Sequence, residues 1–167
     1  GERELVVPDG PAPAISEEEL AKAFLAARVL AYGQGLALLD AASEEFDWDL
    51  DLARVAEIWR AGCIIRSALL DDISSAVRGG LPHGALHLAP AFSGHLTDGA
   101  QSLRTLVSQA ALAGLPTPGF CAALGYFETM RKGRGTTDLI QAQRDYFGAH
   151  GFERVDAAGA HHGPWHG

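Results

Sequence analysis

Apolar side chains recur at steps of three and four residues along nearly all of the chain after Ala14, and this period is the strongest constraint on its fold. No segment of adequate length alternates apolar and polar residues with β-branched side chains, as a half-buried strand would. Only residues 151–156 are compatible with a short extended piece. The pattern therefore predicts an all-α fold, a bundle of several helices.

Caps, glycines and prolines divide the pattern into segments of helical period. These segments are residues 16–45, 52–77, 85–94, 97–114, 119–131 and 137–147. The first begins with a capping box formed by Ser16 and Glu19. The second is expected as one uninterrupted helix after a cap at Asp49 or Asp51. Thr97 is expected to cap the fourth.

The same pattern predicts three parts along the chain. Residues 1–15, which hold several prolines, form an extended lead-in, and residues 16–135 form the helical domain. Residues 136–167 form a tail helix and a C-terminal arm that we expect to reach a partner subunit. No apolar run approaches the ~20 residues of a membrane span, and no signal peptide precedes the first helix, so no membrane partner is expected.

The charge balance restricts the class of partner. Thirteen basic and 21 acidic side chains give a formal charge of −8, which argues against nucleic acid as a partner. Residues 131–144 differ, because they hold Arg131, Lys132, Arg134 and Arg144 against one acid, Asp138. A positive segment in an acidic protein suits a small anionic ligand. The alternative is a solvated helix end whose basic side chains oppose the helix dipole.

Cysteine and histidine usage predicts no metal site. Cys63 and Cys121 lie in apolar helical patterns without ligand spacing, which favours two packed thiols in a reducing, cytoplasmic compartment; a disulfide remains the alternative. His161, His162 and His166 cluster near the C-terminus, but no carboxylate or thiolate accompanies them at the usual spacing. We therefore expect a flexible tail rather than a metal centre.

Arg144 and His150 are the candidate ligand-binding residues. Arg144 offers a planar fork of N–H donors that fits phosphate or carboxylate, and a histidine can supply a further donor to the same anion. His150 follows six residues later, just past the expected end of the last helix. No glycine-rich loop follows a strand, so the chain itself has no predicted dinucleotide-binding unit and no cofactor site.

Four collinear motifs carry a family resemblance. They are residues 31–35 (AYGQG), 59–67 (WRAGCIIRS), 114–118 (GLPTP) and 139–150 (LIQAQRDYFGAH). With these motifs in this order, the chain resembles the C-terminal helical domain of decarboxylating 6-phosphogluconate dehydrogenase from about Leu20 to His150. The resemblance implies a multi-helix bundle of that domain's type, with an extended C-terminal tail.

The resemblance also implies a function. Members of this family oxidise 6-phosphogluconate with NADP, release CO2 and form ribulose 5-phosphate, a step of the pentose phosphate pathway and of gluconate utilisation. They form homodimers in which the tail of one subunit enters the active site of the other. By resemblance, Arg144 and His150 occupy the positions of the tail arginine and histidine that help to bind the substrate phosphate.

The chain departs from the family pattern at its start. The nucleotide-binding domain, the lysine base and the glutamate acid of the family all precede the matched region. We therefore expect this chain alone to be inactive as an oxidoreductase, with NADP bound by a domain absent here and no catalytic residue in the chain. A fragment of the longer enzyme is the first interpretation. The alternative is a stand-alone, non-redox helical module that dimerises or binds an anionic metabolite.

Overall fold

The computed structural model describes residues 10–65 and 67–165 of the chain. Its elements, in order, are α1 (Glu17–Glu45), α2 (Leu52–Gly62), α3 (Leu69–Arg78), two 3-10 turns (Pro82–Gly84 and Leu86–Leu88), α4 (Pro90–Leu112), α5 (Pro118–Met130), α6 (Thr137–Gly148), β1 (Phe152–Glu153) and β2 (Ala160–His161). The all-α class is confirmed. Residues 1–9, most of the predicted lead-in, lie outside the described residues.

The chain forms two compact units, Gly1–Phe127 and Glu128–Gly167. In the first unit, α1 packs along α4 and α2 packs against α3. The largest fully buried apolar side chains of this core are Phe92, Leu30, Leu70, Ile73, Leu86, Leu103 and Val29. In the part of the chain that the structure describes, no helix has the length and apolar character needed to cross a membrane.

The predicted start of α1 is confirmed. The Glu19 backbone N–H donates to Ser16 Oγ at 3.2 Å, and the Ser16 N–H donates to Glu19 Oε2 at 3.1 Å, which completes the capping box. The lead-in just before this cap is joined to α4. The Ala14 N–H donates to Gln109 Oε1 at 2.5 Å, and Gln109 Nε2 donates to the Ala14 carbonyl at 3.2 Å.

The prediction of one long helix over residues 52–77 is wrong, because the chain leaves the helix at Cys63. Cys63 has extended backbone angles, φ −121° and ψ 153°. Two side chains of α1 bond to the connection that follows: Arg28 donates to Ser67 Oγ, and Tyr32 Oη donates to the Ile65 carbonyl at 2.9 Å. These hydrogen bonds satisfy the Ile65 carbonyl and the Ser67 hydroxyl outside a helix. Tertiary contacts therefore interrupt the helix although the apolar period of the sequence continues.

Two predicted caps have different outcomes. Asp51 is the cap of α2, since its Oδ1 accepts the Arg54 N–H at 2.9 Å. Thr97 caps nothing and lies within α4, where its hydroxyl donates to the Ser93 carbonyl at 3.0 Å. Helix α4 begins instead at Pro90, whose fixed φ suits a first helical position. The two predicted segments 85–94 and 97–114 therefore merge into one helix, Pro90–Leu112.

The two thiols are free cysteines. Cys63 is half-buried in the connection between α2 and α3, whereas Cys121 is exposed on α5. The prediction of two packed thiols is therefore wrong for Cys121, whose Sγ lies 3.7 Å from Thr117 Oγ1. The apolar helical pattern alone did not show that Cys121 faces solvent on α5.

The second unit consists of the end of α5, helix α6 and a short hairpin. Helix α6 ends at Ala149, which has left-handed angles, φ 49° and ψ 37°. Strands β1 and β2 pair antiparallel, with Phe152 opposite His161 and Glu153 opposite Ala160. The extended piece predicted at residues 151–156 thus contains β1, and the chain after it returns to pair with that strand.

Gly99 tests the packing of α1 on α4. A Cβ at Gly99 would lie 2.7 Å from the Lys22 carbonyl oxygen and 2.8 Å from Ala26 Cβ. We expect Gly99→Ala to lower the free energy of unfolding by about 1–3 kcal/mol, because the backbone of α1 must move. Gly94 of the same helix faces open space, so Gly94→Ala should raise that free energy by up to about 1 kcal/mol. Equal effects in urea unfolding would contradict this packing.

Candidate anion-binding site

Arg144 lies exposed on α6. Its Nη1 donates to Gln141 Oε1, one turn earlier, at 2.8 Å. That partner is an uncharged amide, which leaves the positive charge of the guanidinium for a ligand. Other arginines of the second unit differ, since Arg134 pairs with Asp138 at 2.5 Å and Arg154 pairs with Asp156 at 2.6 Å.

His150 follows α6 in a sharply turned segment. It lies between two residues with positive φ, Ala149 at 49° and Gly151 at 71°. Its imidazole packs directly on Gly148, where a Cβ would come within 2.5 Å of His150 Nε2. Glycine at position 148 is therefore what allows the ring to lie across the last turn of the helix.

The structure brings the two predicted residues together. Arg144 and His150 line one open cavity of about 270 Å³ with Gln143, Phe147 and Gly148. A guanidinium and an imidazole on one concave surface match the donor requirements of a phosphate or carboxylate group. None of the described residues that line the cavity is acidic.

The basic segment predicted at residues 131–144 is partly neutralised. Arg134 forms two hydrogen bonds with Asp138 Oδ2, and Arg131 pairs with Glu128 at 2.5 Å. These exposed pairs hold their arginines to carboxylates of the same unit. Arg144 is thus better suited to meet an external anion than Arg131 or Arg134.

Sequence analysis missed Asp145, the fully buried residue of α6. Its carboxylate accepts hydrogen bonds from the Gly151 and Gly163 N–H groups at 2.9 and 2.8 Å, and from Trp165 Nε1 at 3.0 Å. His162 Nδ1 lies 2.6 Å from Asp145 Oδ1. These partners follow Asp145 by 6 to 20 residues, so no helical period reveals them.

Two of the three clustered histidines have local partners. His162 contacts Asp145, and His161 Nε2 lies 3.2 Å from the Ala158 carbonyl, while His166 lies outside the described residues. The hairpin is thus bonded to α6, in place of the flexible tail expected for residues 160–165. Among residues 10–65 and 67–165, no three histidine, cysteine or acidic side chains converge as metal ligands.

Comparison with known proteins places the chain among similar sequences and structures. The family model described as 6-phosphogluconate dehydrogenase, C-terminal domain, matches residues 9–165. The chain is similar to the chloroplastic decarboxylating 6-phosphogluconate dehydrogenase 2 of Spinacia oleracea, with 43% identity over 148 residues, which are 89% of this chain and 28% of that protein. The decarboxylating enzyme of Escherichia coli K12 is 42% identical over 148 residues, 89% of this chain and 32% of the relative.

A solved structure is also similar. It comes from a study of Plasmodium falciparum 6-phosphogluconate dehydrogenase in its apo form, with its cofactor NADP+ and with its substrate 6-phosphogluconate. The TM-score is 0.83 at 38% identity, covering 93% of this chain and 34% of that one. The chain therefore spans about a third of the length of these relatives.

Gly148→Ala tests how the His150 ring is held. We expect the ring to move, since the added methyl group would overlap it, while helix stability changes by less than about 1 kcal/mol. The imidazole resonances of His150 in two-dimensional NMR should shift. Gly125→Ala is the matched control, because a Cβ there meets open space. Unchanged His150 resonances in Gly148→Ala would show that the ring does not lie on residue 148.

Proposed function

The chain belongs to the 6-phosphogluconate dehydrogenase C-terminal domain family, and we propose that it is the substrate-binding and dimerisation part of a decarboxylating 6-phosphogluconate dehydrogenase. The observation that carries the proposal is the cavity shared by Arg144 and His150, the two residues singled out by the family resemblance. That enzyme converts 6-phosphogluconate to ribulose 5-phosphate and CO2.

Arg144 and His150 bind the phosphate end of the substrate in this proposal. The guanidinium donates to two phosphate oxygens, and the imidazole donates to the same group. Neither residue takes part in the chemical step. Both hold the substrate so that its sugar-acid carbons meet the reacting groups, which lie elsewhere in the longer protein.

The nucleotide and the acid–base groups belong to other parts of the longer protein. The chemistry that NADP+ would supply there is that of a hydride acceptor. In this proposal the described chain binds the substrate phosphate and contacts a second subunit.

Large apolar side chains of the first unit support a subunit contact. Leu38 is 71% exposed, Ile58 58% and Ile64 99%. In this proposal, these side chains contribute to an apolar surface that the partner subunit covers. We propose a homodimer with exchanged tails, located in the cytoplasm, where a reducing environment suits the free thiols Cys63 and Cys121.

Arg144→Ala in the longer enzyme tests the phosphate role. We expect the KM for 6-phosphogluconate to rise by roughly tenfold or more, with the KM for NADP+ changed less than about twofold. The reason is that the lost donors contact only the phosphate. Arg154→Ala is the matched control, since Arg154 already pairs with Asp156. An unchanged substrate KM in Arg144→Ala would contradict the role.

Tail exchange is tested by mixing two inactive subunits. One carries Arg144→Ala and His150→Ala with intact catalytic groups, and the other carries an intact tail with its catalytic base removed. We expect mixed dimers to regain activity, because one composite active site per dimer is then complete. Recovery is measured as 6-phosphogluconate-dependent NADPH formation after refolding the mixture. Activity no higher than that of the separate variants, in dimers shown to be mixed by mass, would contradict exchange.

A further inference from the structure

We propose that Asp145 is a positioning residue of the phosphate site: its carboxylate holds the turn that carries His150 and so sets the geometry of the Arg144–His150 pair. This inference rests on the proposed function, since it names a further residue of the same site. Asp145 does not line the cavity shared by Arg144 and His150, so it acts through them rather than on the ligand.

Asp145 is fully buried in a helix whose neighbouring residues are exposed. Its exposed fraction is 0%, while Tyr146, the next residue, is 57% exposed. A carboxylate is rarely buried unless donors surround it, because leaving it without hydrogen bonds in the interior is very costly. The two Asp145 oxygens meet this requirement with partners taken from the chain beyond α6.

Asp145 bonds to the chain on both sides of His150. The Ala149 N–H donates to the Asp145 carbonyl at 2.8 Å, and the Gly151 N–H donates to Asp145 Oδ1 at 2.9 Å. The main chain of Asp145 thus bonds to the Gly148–Ala149 peptide, as the main chain of any residue at this helix end would, whereas its carboxylate bonds to the His150–Gly151 peptide directly after His150. With both flanking residues at positive φ, these two bonds define where the imidazole leaves the backbone.

Further partners of Asp145 come from the segment that follows β2. His162 and Trp165 approach Asp145 through ring N–H groups, and the Gly163 N–H bonds to Oδ2. Position 163 needs a glycine, because a Cβ there would fall 2.1 Å from the Trp165 ring. The hairpin therefore closes over Asp145 and prevents water from replacing its donors.

The charge of Asp145 is part of the arrangement. Burial raises the pKa of this carboxyl, but hydrogen bonds from Gly163, His162 and Gly151 outweigh that effect and hold the pKa well below its ordinary value. An asparagine has almost the same shape, yet its NH2 group would face donors instead of accepting from them. Asp145→Asn therefore removes acceptors with little change of volume.

The test uses Asp145→Asn in the longer enzyme, with two substrates that differ only in the phosphate. We expect the kcat/KM for 6-phosphogluconate to fall roughly ten- to a hundredfold, as when a binding group is misplaced by about 1 Å. Turnover of gluconate, which lacks the phosphate, should keep its kcat/KM, and the KM for NADP+ should not change. A folding defect would instead lower the kcat/KM values for 6-phosphogluconate and for gluconate by the same factor. That result would overturn the proposal.

Asp156→Asn is the matched control. Asp156 lies in the same unit and pairs with Arg154 on the surface. Its replacement should therefore leave kcat/KM unchanged for both 6-phosphogluconate and gluconate. Where Asp145→Asn fails to fold, Trp165→Phe carries the test, because it removes one donor and leaves the carboxylate. We expect a fall of about fivefold in kcat/KM for 6-phosphogluconate alone, the size of one lost hydrogen bond. No fall would overturn the proposal.

The Arg144→Ala variant separates this inference from the proposed function. One outcome is that Arg144→Ala lowers kcat/KM for 6-phosphogluconate but not for gluconate, while Asp145→Asn or Trp165→Phe has no such selective effect. In that case the positioning role is overturned and the phosphate site stands. If Arg144→Ala has no selective effect, the phosphate site itself is wrong, whatever Asp145 does. A selective fall in kcat/KM for 6-phosphogluconate in Arg144→Ala and also in the Asp145 or Trp165 variant supports both the phosphate site and the positioning role.

Discussion

Burial of one carboxylate organises the C-terminal unit. Asp145 is inaccessible to solvent, so its oxygens must be satisfied by donors of the protein, and those donors come from the turn after α6 and from the returning strand. The hairpin is only two residue pairs long, too short to be stable by strand pairing alone. Its attachment to α6 through Asp145 explains why this short segment has a defined path and why His150 has a defined place.

The first unit depends on close helix packing of another kind. Gly99 brings α4 onto the backbone of α1, and Gly33 admits Leu86, whose Cβ would lie 3.3 Å from a Cβ at that position. Arg28 and Tyr32 of α1 then bond to the connection between α2 and α3. Helix α1 is therefore both the centre of the apolar core and the source of the polar contacts that interrupt the second predicted helix.

Much of the candidate site was predictable from the sequence, because Arg144 and His150 lie in one short motif. Arg144 lies on α6 and His150 follows its end, as expected, and both line one cavity; their binding of an anion stays a prediction. Asp145 was not predictable as a buried residue. It stands between exposed neighbours on a polar helix, and its partners are separated from it by up to 20 residues.

The sequence by itself determined the helical class, the capping box at Ser16, the bounds of α5 and α6 to within about two residues, and the break after α4. Each depends on interactions within one or two helical turns, which residue identity encodes directly. Only the tertiary structure decided the interruption at Cys63, the continuous path of α4 past Thr97, and the burial of Asp145. Those features depend on hydrogen-bond donors, acceptors and packing surfaces from distant parts of the chain, which come together only when it folds.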